Sequence, residues 1–504
     1  MGEESKAGLG DALFLVSEII VIVLYWLYTE VDMKPGEMHP GAHSIVHHHS
    51  TTDVPAYTIG EREKVQGWYG IFQDVHVMIY VGFGFLLAFL KKHSWTSVGL
   101  NFITAVWASQ ITILFAGMWH LLINGDGKTS IIKVDIPALI LGDFGAAAVL
   151  ISFGALLGKC NLTQMWVLAT FECCFYTLNE AICLGKLGAC DMGGCIVVHT
   201  FGAYFGCAAC YFFERQRAAE HCKKDDSKAG ASYTSALIGM VGTLFLFIYW
   251  PSYNAALAMQ HQQHRVIVNT MGAITASAIG SIVVCRLNSG RLDMEVIMNA
   301  TLAGGVSIGS ASSLICSPAW SMAIGLGAGV ISALGFIKIG PFLTEKIALY
   351  DTCGIHNLHG MPGIFGGLCG TIAVMFSEEL FTSKGKLDYE TMHNAMPNMR
   401  PDKDGKGGFT AMQQAGVQLQ VLALTLVMAI VTGAFTGFIA SKCGSVEGLY
   451  DDKEHWDHID KDEVEIVTKT NTATTVIPRR SSLRVDAEDS FNAENDTAGK
   501  NNMQ

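Results

Sequence analysis

Twelve long, almost uncharged stretches divide this 504-residue chain, and they set the strictest limit on how it can fold. Each is roughly 18 to 26 residues long, the length of a helix that crosses the hydrocarbon core of a bilayer. Only 15% of the residues are charged, whereas an ordinary soluble protein carries about 25%. The pattern predicts an all-α integral membrane protein with about twelve transmembrane helices.

The spans and the charges between them also predict how the chain lies across a membrane. An even number of spans places both termini on one side, and Lys and Arg collect after the even-numbered spans, which makes that side cytoplasmic. No retention signal is evident, so the expected location is the plasma membrane, as a multi-pass protein. The predicted spans are about 12–29, 69–90, 98–123, 131–157, 162–185, 195–213, 235–258, 267–286, 293–316, 320–341, 352–376 and 416–440.

Two parts of different composition follow from this reading. Residues 1–440 form the membrane domain. The whole chain has 54 glycines, more than the roughly 35 of average usage, and many lie within the spans, which predicts closely approaching helices. Residues 441–504 are hydrophilic and predict a cytoplasmic, largely disordered tail, where a cytoplasmic partner would bind. In RRSSLR, two arginines precede a serine pair, so Ser482 is a candidate for phosphorylation, although such matches also arise by chance.

Two similar polar stretches interrupt the apolar pattern, DMGGCIVVHTFG (Asp191 to Gly202) and DTCGIHNLHG (Asp351 to Gly360). Each places an acid at the lip of a span, then glycine, then a histidine inside it. Polar groups there are costly and tend to pair or to line a pathway. The pattern predicts an inverted repeat whose halves each deliver a side chain to a central site. The alternative is that each histidine only bonds neighbouring helices.

Longer motifs make the chain recognisable. In the same order and over about residues 10–460, the sequence resembles the Rh (Rhesus-type) glycoprotein branch of the ammonium transporter family. The resemblance implies a homotrimer of subunits with about twelve helices, which include two five-helix halves and an extra first helix, and each subunit has its own hydrophobic pore. The motifs that carry it are HTFGAYFG (His199 to Gly206), GTLFLFIYWPSYNAA (Gly242 to Ala256), NATLAGGVSIG (Asn299 to Gly309) and DTCGIHNLHGMPG (Asp351 to Gly363).

The resemblance also implies which residues form the pore. His199 and His356 match the family's twin pore histidines, which physical reasoning expects to share one N–H···N bond and to stay neutral together. His359, one turn beyond His356, either extends the polar lining toward the inner mouth or bonds a backbone carbonyl. Phe144 falls at the first position of the outer gate. Tyr253 stands at the second, where the family usually has phenylalanine, and its phenol can bond substrate or water.

Two acids complete the predicted site. Asp191 precedes His199 by eight residues, as in the family, and we expect it to cap the sixth span and shape the pore, with substrate contact as the alternative. Asp351 is predicted to cap the eleventh span in the same way. No third residue of suitable type has a spacing that would tie it to the histidines as a metal ligand, so neither a metal nor a cofactor is predicted.

These features favour a channel over two other kinds of protein. The predicted function is passage of ammonia, with ammonium recruited at the mouth and deprotonated there, and carbon dioxide can also pass a dry narrow pore. The 17 histidines suggest a metal-dependent membrane enzyme, but they do not form the several closely spaced boxes that such an enzyme needs, so no enzymatic activity is predicted. A transport-silent structural subunit is the remaining alternative, and the retained pore histidines argue against it.

Overall fold

The computed structural model describes residues 4–31, 61–123, 131–222, 228–258, 260–377, 396–400 and 407–456. Met1–Trp456 form one unit, which holds all the described residues. The second unit, Asp457–Gln504, lies outside the described residues, and so does the predicted phosphorylation candidate Ser482.

Helices account for most of the described chain. The α-helices are α1 (Glu4–Tyr28), α2 (Glu61–Val77), α3 (Gly84–Leu86), α4 (Ser94–Ile123), α5 (Ile136–Leu156), α6 (Leu162–Glu180), α7 (Phe201–Cys210), α8 (Arg215–Cys222), α9 (Tyr233–Ala255), α10 (Gln260–Ser289), α11 (Met294–Ile308), α12 (Pro318–Leu334), α13 (Gly340–Ile347), α14 (Met361–Met375) and α15 (Ala411–Ala440). Two short parallel strands, β1 (Thr29–Val31) and β2 (Ile132–Val134), pair in register.

Shorter turns of other helix types join these elements. Among the described residues, five segments are π-helical: Met78–Phe83, Ala181–Lys186, Cys195–Thr200, Gly335–Ile339 and His356–Gly360. Three are 3₁₀-helical: Leu87–Phe89, Pro397–Met399 and Asp452–Glu454. Because π-turns are rare and occur mostly at functional sites, the two that contain histidines of the predicted site mark the centre of interest.

Within the described residues, nine helices are long and apolar enough to cross a membrane. Three shorter apolar helices, Ala12–Tyr28, Cys195–Cys210 and Met294–Ile308, accompany them. Every one of these helices overlaps one of the predicted spans. The prediction of a mostly helical, multi-pass membrane protein is therefore confirmed.

The centre of the bundle is α5, which is buried along nearly its whole length. Asp135 begins it, with its side chain accepting a hydrogen bond from the backbone N–H of Ala138 at 2.9 Å. Pro137 follows in the first turn, where the missing N–H costs nothing. The helix is mostly apolar, as expected of a surrounded helix, and its buried Asp143 is bonded to His76 at 3.0 Å. It carries Phe144 into the interior.

Glycines let the neighbouring helices approach closely, as the composition predicts. A Cβ atom built on Gly325 of α12 would overlap the carbonyl oxygen of Ala273 in α10, and one on Gly329 would overlap that of Ser277. Both obstacles are backbone atoms, which cannot rotate away. Small residues at these positions therefore set the distance between α10 and α12.

Substitution of Gly325 by alanine is expected to destabilise the bundle, because the added methyl group has to displace the backbone of α10. Overpacking of this kind costs about 1–3 kcal/mol, which should lower the melting temperature of the purified protein in detergent. Gly416→Ala is the matched control, since no atom lies within 4 Å of its added Cβ. Equal melting temperatures for the two variants would contradict the close approach of α10 and α12.

The described chain continues beyond α15 and packs against the bundle up to Trp456. The carboxylate of Asp452 accepts hydrogen bonds from the backbone N–H groups of Trp95, at 3.0 Å, and Thr96, at 2.8 Å, and so caps the start of α4. The indole of Trp456 donates to the Thr96 hydroxyl at 3.0 Å. Tyr450 is buried nearby. The first part of the predicted tail, which begins at residue 441, is thus a docked segment.

Candidate functional site

Two buried histidines meet at the centre of the bundle. The Nδ1 atoms of His199 and His359 lie 3.2 Å apart, and the two rings are nearly parallel, at 8° with centroids 5.2 Å apart. At this distance one Nδ1 must donate its proton and the other must accept it, so each ring fixes the tautomer of the other. The Nε2 atom of His199 is buried and has no hydrogen-bond partner among the described residues.

The predicted pairing of His199 with His356 is wrong. The Nδ1 atom of His356 lies 3.3 Å from the amide oxygen of Asn357, and its ring stands edge-on to Tyr204. Both His356 and His359 belong to the π-helical segment His356–Gly360. Because hydrogen bonds from residue i to i+5 wind the chain more slowly than an α-helix does, residues three apart no longer share a face.

The predicted roles of His359 need the same correction. A histidine that extends the inner polar lining, or that bonds a backbone carbonyl, was expected at this position. The imidazole instead bonds His199 and stacks on the ring of Phe83, with centroids 6.3 Å apart. His359 is therefore the second member of the central pair.

Asp191 fixes the backbone that carries His199. One carboxylate oxygen accepts the backbone N–H groups of Ile196 and Val197, at 2.8 and 2.9 Å, and the other accepts the hydroxyl of Ser310. Burial raises the pKa of Asp191 to about 6, although the hydrogen bonds from Ser310 and the backbone N–H groups act to lower it. The acid accepts backbone N–H groups at the start of this segment, as a helix cap does, and all these contacts are with donors.

Asp351 does the same for the second histidine. Its carboxylate accepts the backbone N–H groups of Ile355 and His356, at 3.0 and 2.9 Å. Burial raises its pKa, and the bonds from these N–H groups oppose the shift. Gly354 turns the chain with φ of 68°, a left-handed conformation that glycine adopts without strain. Asp351 thus accepts backbone N–H groups at the start of this helical segment, as a capping residue does.

The two halves of the site share one spacing, and that spacing identifies the correct histidine. His199 follows Asp191 by eight residues, and His359 follows Asp351 by eight residues. His356 stands only five residues after Asp351. The acid-to-histidine spacing was therefore the signal in the sequence that distinguishes His359 from His356.

Aromatic rings cover the central pair on one side. The rings of Phe144 and Tyr253 lie 4.6 Å apart between centroids, and Tyr253 lies 5.8 Å from His199. Both aromatic residues are buried. The phenol of Tyr253 has no hydrogen-bond partner among the described residues. The two unpartnered atoms, the Tyr253 hydroxyl and the Nε2 of His199, thus belong to neighbouring rings, and each can bond a small polar molecule.

Trp250 and Phe83 belong to the same row of rings, although sequence reasoning did not single them out. Trp250 stacks on His199 with centroids 5.6 Å apart, and Phe83 stacks on His359. An aromatic residue inside a span reads as ordinary packing, so nothing in the local sequence marks either one. Together the rings enclose the histidine pair in apolar surroundings, where hydrogen bonds are strong and charges are disfavoured. In the described part of the chain, no three potential ligands stand close enough to hold a metal ion.

A helical membrane bundle with a neutral polar pair enclosed by aromatic rings belongs to the class of multi-pass channels and transporters. The profile of the Ammonium Transporter Family matches residues 51–464, and this chain belongs to that family. Among similar proteins is the ammonium transporter Rh type C of Xenopus tropicalis, 37% identical over 423 residues, which are 82% of this chain and 86% of the relative. The Rh type B protein of Danio rerio is 40% identical over 374 residues, 74% of this chain and 77% of the relative.

Solved structures agree with this assignment. Rh50 of Nitrosomonas europaea, of the Rhesus protein family of channels, superposes with a TM-score of 0.64 at 28% identity over 80% of this chain and 95% of its own. Mep2 of Saccharomyces cerevisiae has a TM-score of 0.56 at 17% identity, over 73% and 83% of the two chains, and shows the fold alone. The resemblance to the Rh branch is confirmed.

Proposed function

We propose that this protein is a channel that conducts ammonia, after ammonium has been recruited at the mouth and has lost a proton there. The observation that carries the proposal is the buried His199–His359 pair, with one unsatisfied ring nitrogen on a ring that neighbours Trp250 and Tyr253. Ammonia both donates and accepts hydrogen bonds, so it can satisfy such a nitrogen in passing. His199 and His359 line the pore, and Asp191 and Asp351 hold their helices in place.

Electrostatics explains why the neutral molecule passes. A second proton on the pair would place two positive charges on rings whose nitrogens lie 3.2 Å apart in a buried site. Desolvation and like-charge repulsion both oppose that state. An ammonium ion brings a similar penalty, because it would have to shed its water in this buried, aromatic-lined site. Deprotonation before the pair removes the penalty.

The same arrangement rejects other cations. Potassium resembles ammonium in size but has no proton to lose, so it cannot be neutralised at the mouth. Phe144 and Tyr253 close the way to a hydrated ion, and their apolar faces offer no substitute for its water. The hydroxyl of Tyr253 gives this gate one polar atom that phenylalanine would lack. Carbon dioxide is uncharged and has no such desolvation cost, so the proposed channel also conducts it.

The proposal extends to assembly and placement. We infer a plasma-membrane homotrimer, surrounded by lipid, with one pore in each subunit and both termini in the cytoplasm. The equal acid-to-histidine spacing in the two halves supports an inverted repeat of five-helix halves, since each half brings one histidine to the centre. The cytoplasmic tail beyond the docked segment, with Ser482, is the proposed site for a partner and for phosphorylation.

The test is the pH change that an ammonium gradient drives in proteoliposomes containing the protein, measured with and without a membrane potential. We expect alkalinisation faster than in empty liposomes and independent of voltage, because ammonia carries no charge. A voltage-dependent current would instead show that ammonium, or ammonia with a relayed proton, crosses. Flux equal to that of empty liposomes would leave the transport-silent structural subunit as the better interpretation.

A further inference from the structure

A cavity of about 700 Å³ adjoins His356, the histidine that the central pair does not use. Its walls come from α11, α13, the π-helical segment Gly335–Ile339 and the chain that leads to His356. On the topology proposed above, this cavity opens to the cytoplasm. Its titratable wall residues are Glu295, Glu345, Tyr350, Asp351 and His356. Three of these five are carboxylates, and none is a lysine or an arginine.

The contacts of His356 leave it one basic nitrogen. The amide oxygen of Asn357 can only accept, so the Nδ1 atom 3.3 Å away carries the proton. The lone pair of the neutral ring is then on Nε2. The backbone N–H of His356 bonds Asp351 at 2.9 Å, which fixes where the side chain starts. The imidazole is only partly buried, so water and small solutes in the cavity can reach it.

The charges around the cavity favour a small cation. Glu295, Glu345 and Asp351 line it, and a cleft with one sign of charge raises the local concentration of the opposite ion. On the exposed rim, Glu345 is paired with Lys346 at 2.8 Å. The ammonium of Lys159 donates to the carbonyl oxygen of Tyr350 and to Cys210. Lys159 is fully buried and does not line the cavity. The carboxylates of Glu295 and Asp351 therefore favour a cation such as ammonium near the imidazole of His356.

We propose that His356 is the proton acceptor for ammonium that approaches the pore from the cytoplasmic cavity, an inference that rests on the proposed function. The N–H bond of ammonium breaks, its proton passes to Nε2 of His356, and neutral ammonia moves on to the His199–His359 pair. The resulting imidazolium returns the proton to water in the cavity, so no net charge crosses. Ammonia that arrives from the other side takes up a proton by the reverse steps. His356 thus accepts the proton at the cytoplasmic cavity and not as a member of the central pair, where it was first expected.

The test compares wild type and His356→Gln in vesicles of both orientations, prepared from a host without ammonium transporters of its own. Ammonium is added to the cytoplasmic face in inside-out vesicles and to the outer face in right-side-out vesicles. We expect His356→Gln to raise the half-saturating ammonium concentration about tenfold at the cytoplasmic face only, a modest effect for general base catalysis because water can replace the base. Imidazole added to that face should restore the wild-type value.

Two controls separate this role from a structural one and from the proposed function itself. Glu345→Gln removes a carboxylate that pairs with Lys346 at the exposed rim of the cavity and leaves the imidazole of His356 in place, so added imidazole should not affect this variant. Wild-type values for His356→Gln at both faces, or a loss at both faces that imidazole does not restore, would overturn the inference while leaving the channel intact. Wild-type vesicles without flux above that of empty host vesicles would overturn the proposed function and the inference with it.

Discussion

Replacement of His359 by alanine is expected to lower the ammonia flux of proteoliposomes about tenfold or more, because leaving a buried polar group unsatisfied costs about 1–3 kcal/mol. The variant removes one of the two nitrogens that lie 3.2 Å apart in the central pair. His199 then loses the partner that fixes its tautomer, and its second ring nitrogen also lacks a partner in the apolar interior. His199→Ala should have the same effect, because the bond needs both rings.

The three histidine variants are not all expected to have the same ammonia flux. His356→Ala should retain flux from the outer face, because His356 lies outside the central pair. Stopped-flow measurement of the internal pH, normalised to the amount of folded protein, compares the three variants. Near-normal flux in His359→Ala, together with complete loss in His356→Ala from both faces, would restore the pairing first expected from the sequence.

Substitution of Asp191 by alanine should have the largest effect on folding. Three buried donors lose their acceptor, namely the backbone N–H groups of Ile196 and Val197 and the hydroxyl of Ser310. Each unsatisfied buried group costs about 1–3 kcal/mol, so the total reaches about 3–6 kcal/mol if partial compensation by water is allowed. We expect a low yield of folded protein and a clearly reduced melting temperature in detergent.

Asp293→Ala is the matched control for this variant. Asp293 caps α11 with a single bond to the backbone N–H of Val296, at 3.2 Å, and loss of an ordinary helix cap costs about 1 kcal/mol. Its melting temperature should therefore fall much less than that of Asp191→Ala. If Asp191→Ala folds and melts like the wild type but conducts nothing, the acid contacts substrate and is not chiefly a cap.

The fold could be predicted because the length and the polarity of a segment are enough to predict a membrane-spanning helix. A run of apolar residues has few alternatives to a spanning helix, since every backbone polar group must be satisfied within lipid. Glycines such as Gly325 indicated close packing for the same reason, although not which backbone they approach. The described helices consequently overlap the predicted spans, with differences mainly at their ends.

The details of the site were harder to predict because they depend on local winding and on distant contacts. The sequence shows two histidines, His356 and His359, three residues apart, and an α-helical expectation places both on one face. The π-helical turn separates them, and only the spacing from Asp351 distinguishes them. The stacking of Trp250 and Phe83 on the pair has no local signature. Tertiary neighbours decide which apolar ring lines a pathway and which fills the core.

The bond between Asp452 and Thr96 joins residues 356 positions apart in the chain. During synthesis, α4 is made early, but the carboxylate that caps it is added only when nearly the whole membrane domain has left the ribosome. A chain cut short before residue 452 would hold all its spanning helices and still expose unpaired N–H groups at the start of α4. An unfinished chain therefore differs from a finished one by unpaired N–H groups at the start of α4.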